Sequence, residues 1–385
     1  MTFSRYVENV NPSVTLEFNK KVLEMINNGE DVIKLTAGEP DFPTPKEVIG
    51  AAVKAMNEGK TKYTQSSGIY PLREKISKKL FKENRLNYCP DEIVITNGGK
   101  QAIFNTLMAI LNPGDEVIIL SPSWVSYDAQ ISLCGGVPVC VETSIDNEFV
   151  PDINDIEPSL TSRTKAIIIN TPNNPTGAIY SEKILKDIAE LAKQKDLFVI
   201  SDEVYEKLAF DEKHTSIASF EGMKEHCAVI NAFSKTYSMT GWRIGYVASY
   251  KELAKTISKI QSHQCSNVNT ISQYAAMKAL DVDINYMVDA FKERRALVNE
   301  KLSDMNLSFS YPKGAFYFFI NISKYLGEKH KDALSFCNTL LEEAKVGLVP
   351  GTAFHADNYV RLSYASSMKE LDDGLNRLKH FLLAN

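Results

Sequence analysis

Short runs of apolar residues alternate with longer segments of helical periodicity through the middle of the chain. This alternation predicts a layered α/β fold in which helices cover a sheet. The predicted strands cover residues 92–96, 116–120, 137–141, 165–169, 197–201, 228–233 and 244–248. The predicted helices of this region cover residues 72–82, 101–111, 182–193, 251–262 and 269–279. The most apolar runs, such as residues 166–169, are typical of strands that are buried on both faces.

The pattern changes after about residue 281. A long charged helix is predicted first, followed by two β-rich runs with a helix between them, over residues 283–304, 314–320, 359–364 and 332–344. We therefore expect a large domain over residues 45–280. Residues 1–44 and 281–385 together are expected to form a smaller α+β domain, because the N-terminal segment becomes rich in Pro and Gly before the large domain begins.

Composition narrows the class of protein. The 385 residues are 44% hydrophobic and 24% charged, which is typical of a globular protein. The formal charge of −5 provides no basic field for nucleic acid, so anionic ligands must be held by local groups. No signal peptide and no apolar run of about 18 residues is found, so no membrane segment is predicted. The six cysteines are scattered without metal-ligand spacing, which indicates reduced thiols and a cytoplasmic location.

Each of five predicted strands is followed by a residue that could bind a ligand. These residues are Gly99 and Lys100 at the start of a helix, Trp124, Asn174, Asp202 and Lys235. Each has an ordinary explanation on its own: a turn, a core tryptophan, a helix cap or a surface lysine. Ligands in open α/β sheets bind beyond the carboxyl ends of strands, however. Five strand ends that all carry such residues are unlikely to occur together by chance.

Lys235 lies in the most informative segment, residues 231–245. An apolar run precedes it, hydroxyl residues flank it, and Arg243 follows eight residues later. A lysine that condenses with an aldehyde needs a partly desolvated pocket, which lowers its pKa. A phosphate on the same ligand needs hydroxyls, backbone N–H groups and an arginine, and the segment supplies these as well.

From Ser4 to the last helix, the chain resembles class I aminotransferases of pyridoxal-phosphate (PLP) fold type I, and within them the bacterial and archaeal aspartate aminotransferases. The matching strings are residues 35–42 (LTAGEPDF), 62–64 (KYT), 98–102 (GGKQA), 121–127 (SPSWVSY), 173–177 (NNPTG), 201–205 (SDEVY), 314–317 (GAFY) and 360–363 (VRLS), besides the lysine segment. One position departs from the family pattern, since Ala232 stands where Gly or Ser is usual. The resemblance implies a mostly parallel seven-stranded sheet between helices, plus the smaller α+β domain.

The resemblance also implies the roles of residues around the cofactor ring. Lys235 would form the Schiff base with pyridoxal 5′-phosphate and later carry the α-proton of the substrate. Asp202 would pair with the pyridine nitrogen and keep it protonated. Tyr205 and Asn174 would hydrogen-bond the phenolic oxygen of the ring, and Trp124 would stack on the ring.

The phosphate and the dimer follow from the same resemblance. Gly99, Lys100, Ser234 and Arg243 would hold the cofactor phosphate. Tyr63 of a second subunit would complete this site, so the resemblance implies a homodimer with active sites at the subunit interface. Amino acids and 2-oxo acids would be the substrates.

Two cationic residues are implied in substrate binding. Arg361 would hold the substrate α-carboxylate as a bidentate fork, assisted by Asn174 and the backbone of Gly38, and Trp124 would also contact the substrate. Lys100 would bind the distal carboxylate of aspartate, or it would contact the cofactor phosphate instead. The sequence is compatible with both roles.

The N-terminal segment closes the substrate side of the expected site. Hydroxyl groups of Ser13 and Thr15 would lie over the distal carboxylate. Relatives that also use prephenate carry a lysine where this chain has Asn11, which argues against efficient prephenate use.

The sequence therefore predicts ping-pong transamination, with aspartate and 2-oxoglutarate as the favoured pair. The alternatives within the fold are an alanine, aromatic or N-acyl-diaminopimelate aminotransferase and a β-elimination lyase. A transcription regulator built on this fold would need an added DNA-binding domain, for which the roughly 44 residues before the core show no helix-turn-helix pattern. A dinucleotide oxidoreductase is disfavoured because no G-x-G-x-x-G motif follows a strand.

Overall fold

The computed structural model describes residues 4–8, 10 and 12–384. The strands are β1 (Ile33–Lys34), β2 (Ile93–Thr96), β3 (Glu116–Ser121), β4 (Val137–Glu142), β5 (Thr164–Asn170), β6 (Phe198–Asp202), β7 (Cys227–Ala232), β8 (Gly245–Ala248), β9 (Ser308–Phe309), β10 (Tyr317–Asn321), β11 (Val346–Gly347), β12 (Val349–Pro350) and β13 (Tyr359–Ser363). The helices are α1 (Arg5–Glu8), α2 (Val14–Asn27), α3 (Lys46–Asn57), α4 (Tyr70–Asn84), α5 (Gly99–Ile110), α6 (Ser126–Leu133), α7 (Ile153–Ile156), α8 (Glu182–Gln194), α9 (Phe233–Thr236), α10 (Lys251–Gln264), α11 (Thr270–Ala279), α12 (Asn285–Asp304), α13 (Ala333–Ala344) and α14 (Met368–Ala384). Among the described residues, no helix has both the length and the apolar character that a membrane crossing requires.

The largest sheet has seven strands in the order β2-β8-β7-β6-β5-β3-β4. Strands β4, β3, β5, β6 and β7 run parallel to one another, whereas β8 is antiparallel to both β7 and β2. The parallel strands place their carboxyl ends along one edge, where loops from successive strands meet. The predicted, mostly parallel, seven-stranded sheet is confirmed.

Helices cover both faces of this sheet because alternate residues of its strands point to opposite sides. In β5, Ile167 and Ile169 join one hydrophobic cluster, whereas Ala166 and Ile168 join another on the opposite face. Each such isoleucine, when fully buried, contributes about 1.5–3 kcal/mol to folding. This burial on both faces explains why the strands are continuous apolar runs and not alternating ones.

A second, four-stranded antiparallel sheet has the order β12-β13-β10-β9. Its core is a separate hydrophobic cluster that includes Phe291 and Phe318 and also takes in Phe18 and Leu35 from the N-terminal segment. Strand β1 adds to this part by pairing in parallel with β11. The predicted domain limits at residues 45 and 280 stay a prediction.

The predicted strands and helices are all present, with ends that differ by up to three residues. One difference affects the site. The strand predicted to end at Phe233 ends at Ala232, and Lys235 lies inside the single helical turn α9. This turn starts where the ladder of β7 with β8 ends, at the pair Ala232–Gly245.

Candidate active site

A cavity of about 430 Å³ opens at the carboxyl ends of the parallel strands. Predicted site residues from every part of the chain line it: Ser13, Thr15, Gly38, Gly99, Lys100, Trp124, Asn174, Asp202, Tyr205, Ser234, Lys235, Arg243 and Arg361. Tyr63 does not line this cavity and is 89% exposed, and its role in a neighbouring subunit stays a prediction. The structure therefore brings all of the other predicted site residues together.

Lys235 projects from α9 into the cavity, where its ammonium contacts the backbone carbonyl of Gly38. Burial lowers the pKa of Lys235 to about 8, against an opposing effect of the Glu39 carboxylate. A pKa in this range leaves a useful fraction of neutral amine near pH 7, and only the neutral amine attacks a carbonyl carbon.

Asp202 is the last residue of β6 and is buried, with 4% of its surface exposed. The Tyr127 hydroxyl donates a 2.7 Å hydrogen bond to Asp202 Oδ2, and α6 supplies this tyrosine. Burial raises the pKa of Asp202 to about 6, although the bond from Tyr127 opposes that shift. A buried carboxylate of this kind is costly unless a cation meets it, so the site is suited to a protonated ring nitrogen.

Two asparagines, at the end of β5 and in the loop after it, connect the backbone of Asp202 to a buried arginine. Asn170 donates from Nδ2 to the Asp202 carbonyl at 2.9 Å, and its Oδ1 accepts from the backbone of Asn174 at 2.9 Å. Oδ1 of Asn174 in turn accepts from the Arg361 guanidinium at 2.8 Å. The loop after β5 thus fixes the orientation of Arg361.

Arg361 is 3% exposed and donates a second bond, of 3.2 Å, to the Thr36 carbonyl. Its Nε is buried without a hydrogen-bond partner, and no carboxylate lies within 4.0 Å, among the residues that the structure describes. The rings of Tyr317 and Phe354 flank the guanidinium, with centroids 4.3 Å and 5.0 Å from its carbon. A buried cation with an unused donor is suited to a bidentate carboxylate ligand.

Tyr205 is buried close enough to Arg361 and Asp202 for both charges to affect its pKa. Its hydroxyl is 3.0 Å from that of Tyr317, and burial raises its pKa well above the usual value. Tyr205 is therefore a neutral hydroxyl at pH 7, able to donate one hydrogen bond to an oxygen in the cavity.

On another side of the cavity, the backbone between β2 and α5 packs closely against Gly245 of β8. A Cβ atom on Gly245 would lie 2.7 Å from the Asn231 carbonyl oxygen and 2.9 Å from the Gly99 nitrogen. Gly98 adopts φ +79° just before α5, whose first two residues, Gly99 and Lys100, line the cavity. Backbone N–H groups at a helix N-terminus bind phosphate well, and Ser234 and Arg243 line the same cavity.

Lys100 lies over the Trp124 ring, with its nitrogen 5.0 Å from the ring centroid. Burial, followed by the nearby Arg243, lowers the pKa of Lys100. Neither cation has a carboxylate within 4.0 Å in the described part of the chain. Thr15 lines the cavity as well, and its hydroxyl is buried without a partner among those residues.

The residues present fit pyridoxal phosphate. The glycine-lined backbone offers amides to a phosphate, Asp202 offers a carboxylate to a ring nitrogen, and Lys235 offers an amine with a lowered pKa. The unpaired cations Lys100, Arg243 and Arg361 further indicate that the bound molecules are anionic.

The model of the family described as aminotransferase class I and II matches residues 30–378. The chain belongs to this family. It is an aminotransferase. The aspartate aminotransferase of Thermotoga maritima is 47% identical over 379 residues, which span 98% of this chain and 99% of that protein. A probable aspartate/prephenate aminotransferase of Aquifex aeolicus is also 47% identical, over 98% of this chain and 97% of its own length.

Solved structures of such enzymes have the same fold. The crystal structure of the Thermotoga maritima aspartate aminotransferase matches 99% of this chain and 100% of its own, with a TM-score of 0.95. The Thermus thermophilus aspartate aminotransferase with maleate matches at a TM-score of 0.95 and 41% identity, over 99% of both chains. The aminotransferase fold predicted from the sequence is therefore confirmed.

Some residues of the site were not predicted individually. Tyr127, Asn170 and Tyr317 hydrogen-bond predicted site residues, and Phe354 flanks Arg361. Tyr127 and Tyr317 belong to the strings that carried the resemblance, so the signal was present. Their partners are distant in sequence, however, and hydrogen bonds between distant residues are not readable from a single chain.

Proposed function

We propose that this aminotransferase uses pyridoxal 5′-phosphate to transfer the amino group of aspartate to 2-oxoglutarate, by a ping-pong mechanism. The observation that carries the proposal is the pair of cations Arg361 and Lys100, which line one cavity and lack carboxylate partners among the described residues. A dicarboxylic amino acid brings one anionic group to each. The names of the relatives in Thermotoga maritima and Geobacillus stearothermophilus support the same substrate.

The bound cofactor would supply an electron sink for the negative charge that develops at the substrate α-carbon. Lys235 Nζ would accept the substrate α-proton and later give it up, a step in which a well-placed base contributes about 10²–10⁴-fold. Its pKa of about 8 suits both directions of this transfer. Asp202 would keep the ring nitrogen cationic, and Tyr127 would hold Asp202 in place.

Other residues would bind and orient the two ligands. The amides at the start of α5, with Ser234 and Arg243, would hold the phosphate, and Trp124 would stack on the ring. Asn174 and Tyr205 would hydrogen-bond the ring oxygen, while the Arg361 fork would hold the α-carboxylate beside Asn174 and Gly38. Ser13 and Thr15 would close over the distal carboxylate near Lys100.

Substrate preference tests this proposal through Lys100. We expect Lys100→Ala to lower kcat/KM for aspartate by about 10²-fold, because the charge pair with the distal carboxylate is lost, but to change kcat/KM for alanine much less. The measurement is steady-state kinetics of both donors with 2-oxoglutarate. Lys82→Ala, an exposed lysine on α4, is the matched control and should leave both values unchanged.

Equal losses for aspartate and alanine would contradict the proposed role and place Lys100 at the cofactor phosphate. A wild-type enzyme that prefers alanine, an aromatic donor or N-acyl-diaminopimelate, or that eliminates a β-substituent, would overturn the aspartate assignment itself. Poor prephenate use stays a prediction, because it depends on Asn11, which lies outside the described residues.

We also propose a homodimer in which Tyr63 reaches the phosphate of the other subunit. The high exposure of Tyr63 in the single chain supports this arrangement. A cytoplasmic location remains a prediction, supported by six cysteines that are all free.

A further inference from the structure

Three metal-ligating side chains meet at the edge of the large sheet, outside the cavity described above. Asp128 comes from α6, Cys140 from the edge strand β4, and His355 from the residue after the helical turn 351–354. The carboxylate oxygen, the thiol sulfur and the imidazole nitrogen all lie within 4.8 Å of one another. Ligand atoms around one tetrahedral metal ion are separated by about 3–4 Å, so small side-chain movements would bring these three to one ion.

The carboxylate of this cluster has an unused oxygen. Asp128 Oδ2 contacts His355 Nε2, whereas Oδ1 is buried and has no hydrogen-bond partner within the described residues. The cluster is nevertheless open to solvent, because the His355 side chain is 43% exposed and Cys140 is exposed. An ion can therefore enter, and water can occupy the remaining position of its coordination sphere.

We propose that Asp128, Cys140 and His355 form a binding site for a divalent transition-metal ion of the Zn²⁺ class. Imidazole nitrogen, thiolate sulfur and carboxylate oxygen are the three donor types that zinc uses in proteins, and water completes a tetrahedron. Binding would release the thiol proton of Cys140 to solvent and replace the direct contact between His355 and Asp128 with two bonds to the ion.

A second cluster of suitable residue types differs from the first because a lysine lies within it. Glu203, Glu206 and His214 also place their ligand atoms within 4.8 Å of one another. The Lys79 ammonium contacts Glu206 there, and Ser216 donates to Glu203 at 2.6 Å. Because this buried cluster already contains a cation, it has no need of a metal. The cluster at Asp128 has no lysine or arginine within salt-bridge distance in the described chain.

The position of the proposed ion connects it to the active site. Asp128 follows Tyr127, which donates to Asp202, and His355 follows Phe354, which flanks Arg361. The backbone of Ser123 already donates to the Phe354 carbonyl at 3.3 Å. An ion at this site would therefore hold α6 to the turn that carries Phe354, immediately behind the substrate-binding arginine.

Cobalt titration of the cofactor-loaded enzyme, in buffer free of thiols and chelators, tests the proposal. We expect about one Co²⁺ ion per chain to give intense tetrahedral ligand-field bands, with a thiolate charge-transfer band, and Zn²⁺ to displace it. Cys140→Ser should abolish the charge-transfer band, and both Cys140→Ser and His355→Asn should weaken Co²⁺ binding at least about 10-fold. Asparagine is chosen because His355 has φ +61°, which asparagine tolerates.

Cys89→Ser is the matched control, since Cys89 is likewise an exposed free cysteine, and it should bind Co²⁺ as the wild type does. Circular dichroism and the unchanged absorption of the bound cofactor would verify that the variants fold and that the ion is not at the active site. Absence of stoichiometric binding to the wild type, or equal affinity in Cys140→Ser, would overturn the proposal.

Discussion

At the scale of single residues, the site depends on two ionisable groups whose pKa values lie closer to neutral pH than is usual for their type. Burial lowers the pKa of Lys235 to about 8 and raises that of Asp202 to about 6. Both shifts come from desolvation, which penalises the charged form of each group. The desolvation of these two charged groups therefore lowers the stability of the fold, and a bound ligand of opposite charge offsets this loss.

Asp202→Asn tests this cost in the cofactor-free protein. The pKa of Asp202 is higher in the folded chain, about 6, than its ordinary value of 3.8, so the folded state binds this proton more tightly. The carboxylate therefore destabilises the fold above pH 6 and has no such effect below about pH 4. We expect the substitution to raise the free energy of unfolding by about 1–3 kcal/mol at pH 7.

Urea unfolding at pH 7 and at the lowest pH where the wild type remains folded measures this difference. The difference in free energy of unfolding between the variant and the wild type should shrink as pH falls from 6 toward 4. In a separate measurement, kcat of the cofactor-loaded variant should be far below that of the wild type. A gain of equal size at both pH values would show that packing, and not desolvation of the charge, accounts for it.

At the scale of elements, the phosphate side depends on close backbone approach between β8, β7 and the start of α5. We expect Gly245→Ala to destabilise the protein by about 1–3 kcal/mol, because the new Cβ would contact the backbone of Asn231, Gly98 and Gly99 within 3 Å. Displacing α5 should also weaken cofactor binding, measured by equilibrium dialysis.

Gly241→Ala is the matched control for Gly245→Ala, since a Cβ there meets nothing within 4 Å. Equal effects of the two substitutions would contradict the role given to close backbone approach.

Elements and strand ends could be predicted from the sequence because strands buried on both faces are continuous apolar runs, and polar residues after them stand out. Lys235, Asp202 and Asn174 were found in this way. The roles of Arg361 and Tyr63 came only from the family resemblance, because an arginine on a strand and a tyrosine in a loop carry no signal of their own. Tyr127 was not predicted as the partner of Asp202, since their elements meet only in the folded sheet.

At the scale of the whole molecule, the proposed dimer makes each active site depend on two chains. We expect the Lys235→Ala homodimer to be inactive and the Tyr63→Ala homodimer to be weakly active. Co-expressed in equal amounts, they should give about a quarter of wild-type activity, because half of the dimers are hybrids and each hybrid has one site with both native residues. Lys235→Ala co-expressed with Tyr286→Ala, another exposed tyrosine, should instead give about half of wild-type activity, because every site that has Lys235 then also has Tyr63. Hybrids with no more activity than the parents would argue against shared sites.

We propose above that the Lys235 amine is the group that anchors the cofactor. Borohydride reduction of the pyridoxal-phosphate-loaded enzyme, followed by peptide mapping with mass spectrometry, tests it most directly. The account predicts the added cofactor mass on Lys235 and its loss, together with turnover, in Lys235→Ala. A trapped cofactor on another lysine, or a Lys235→Ala enzyme that still transaminates at the wild-type rate, would contradict it.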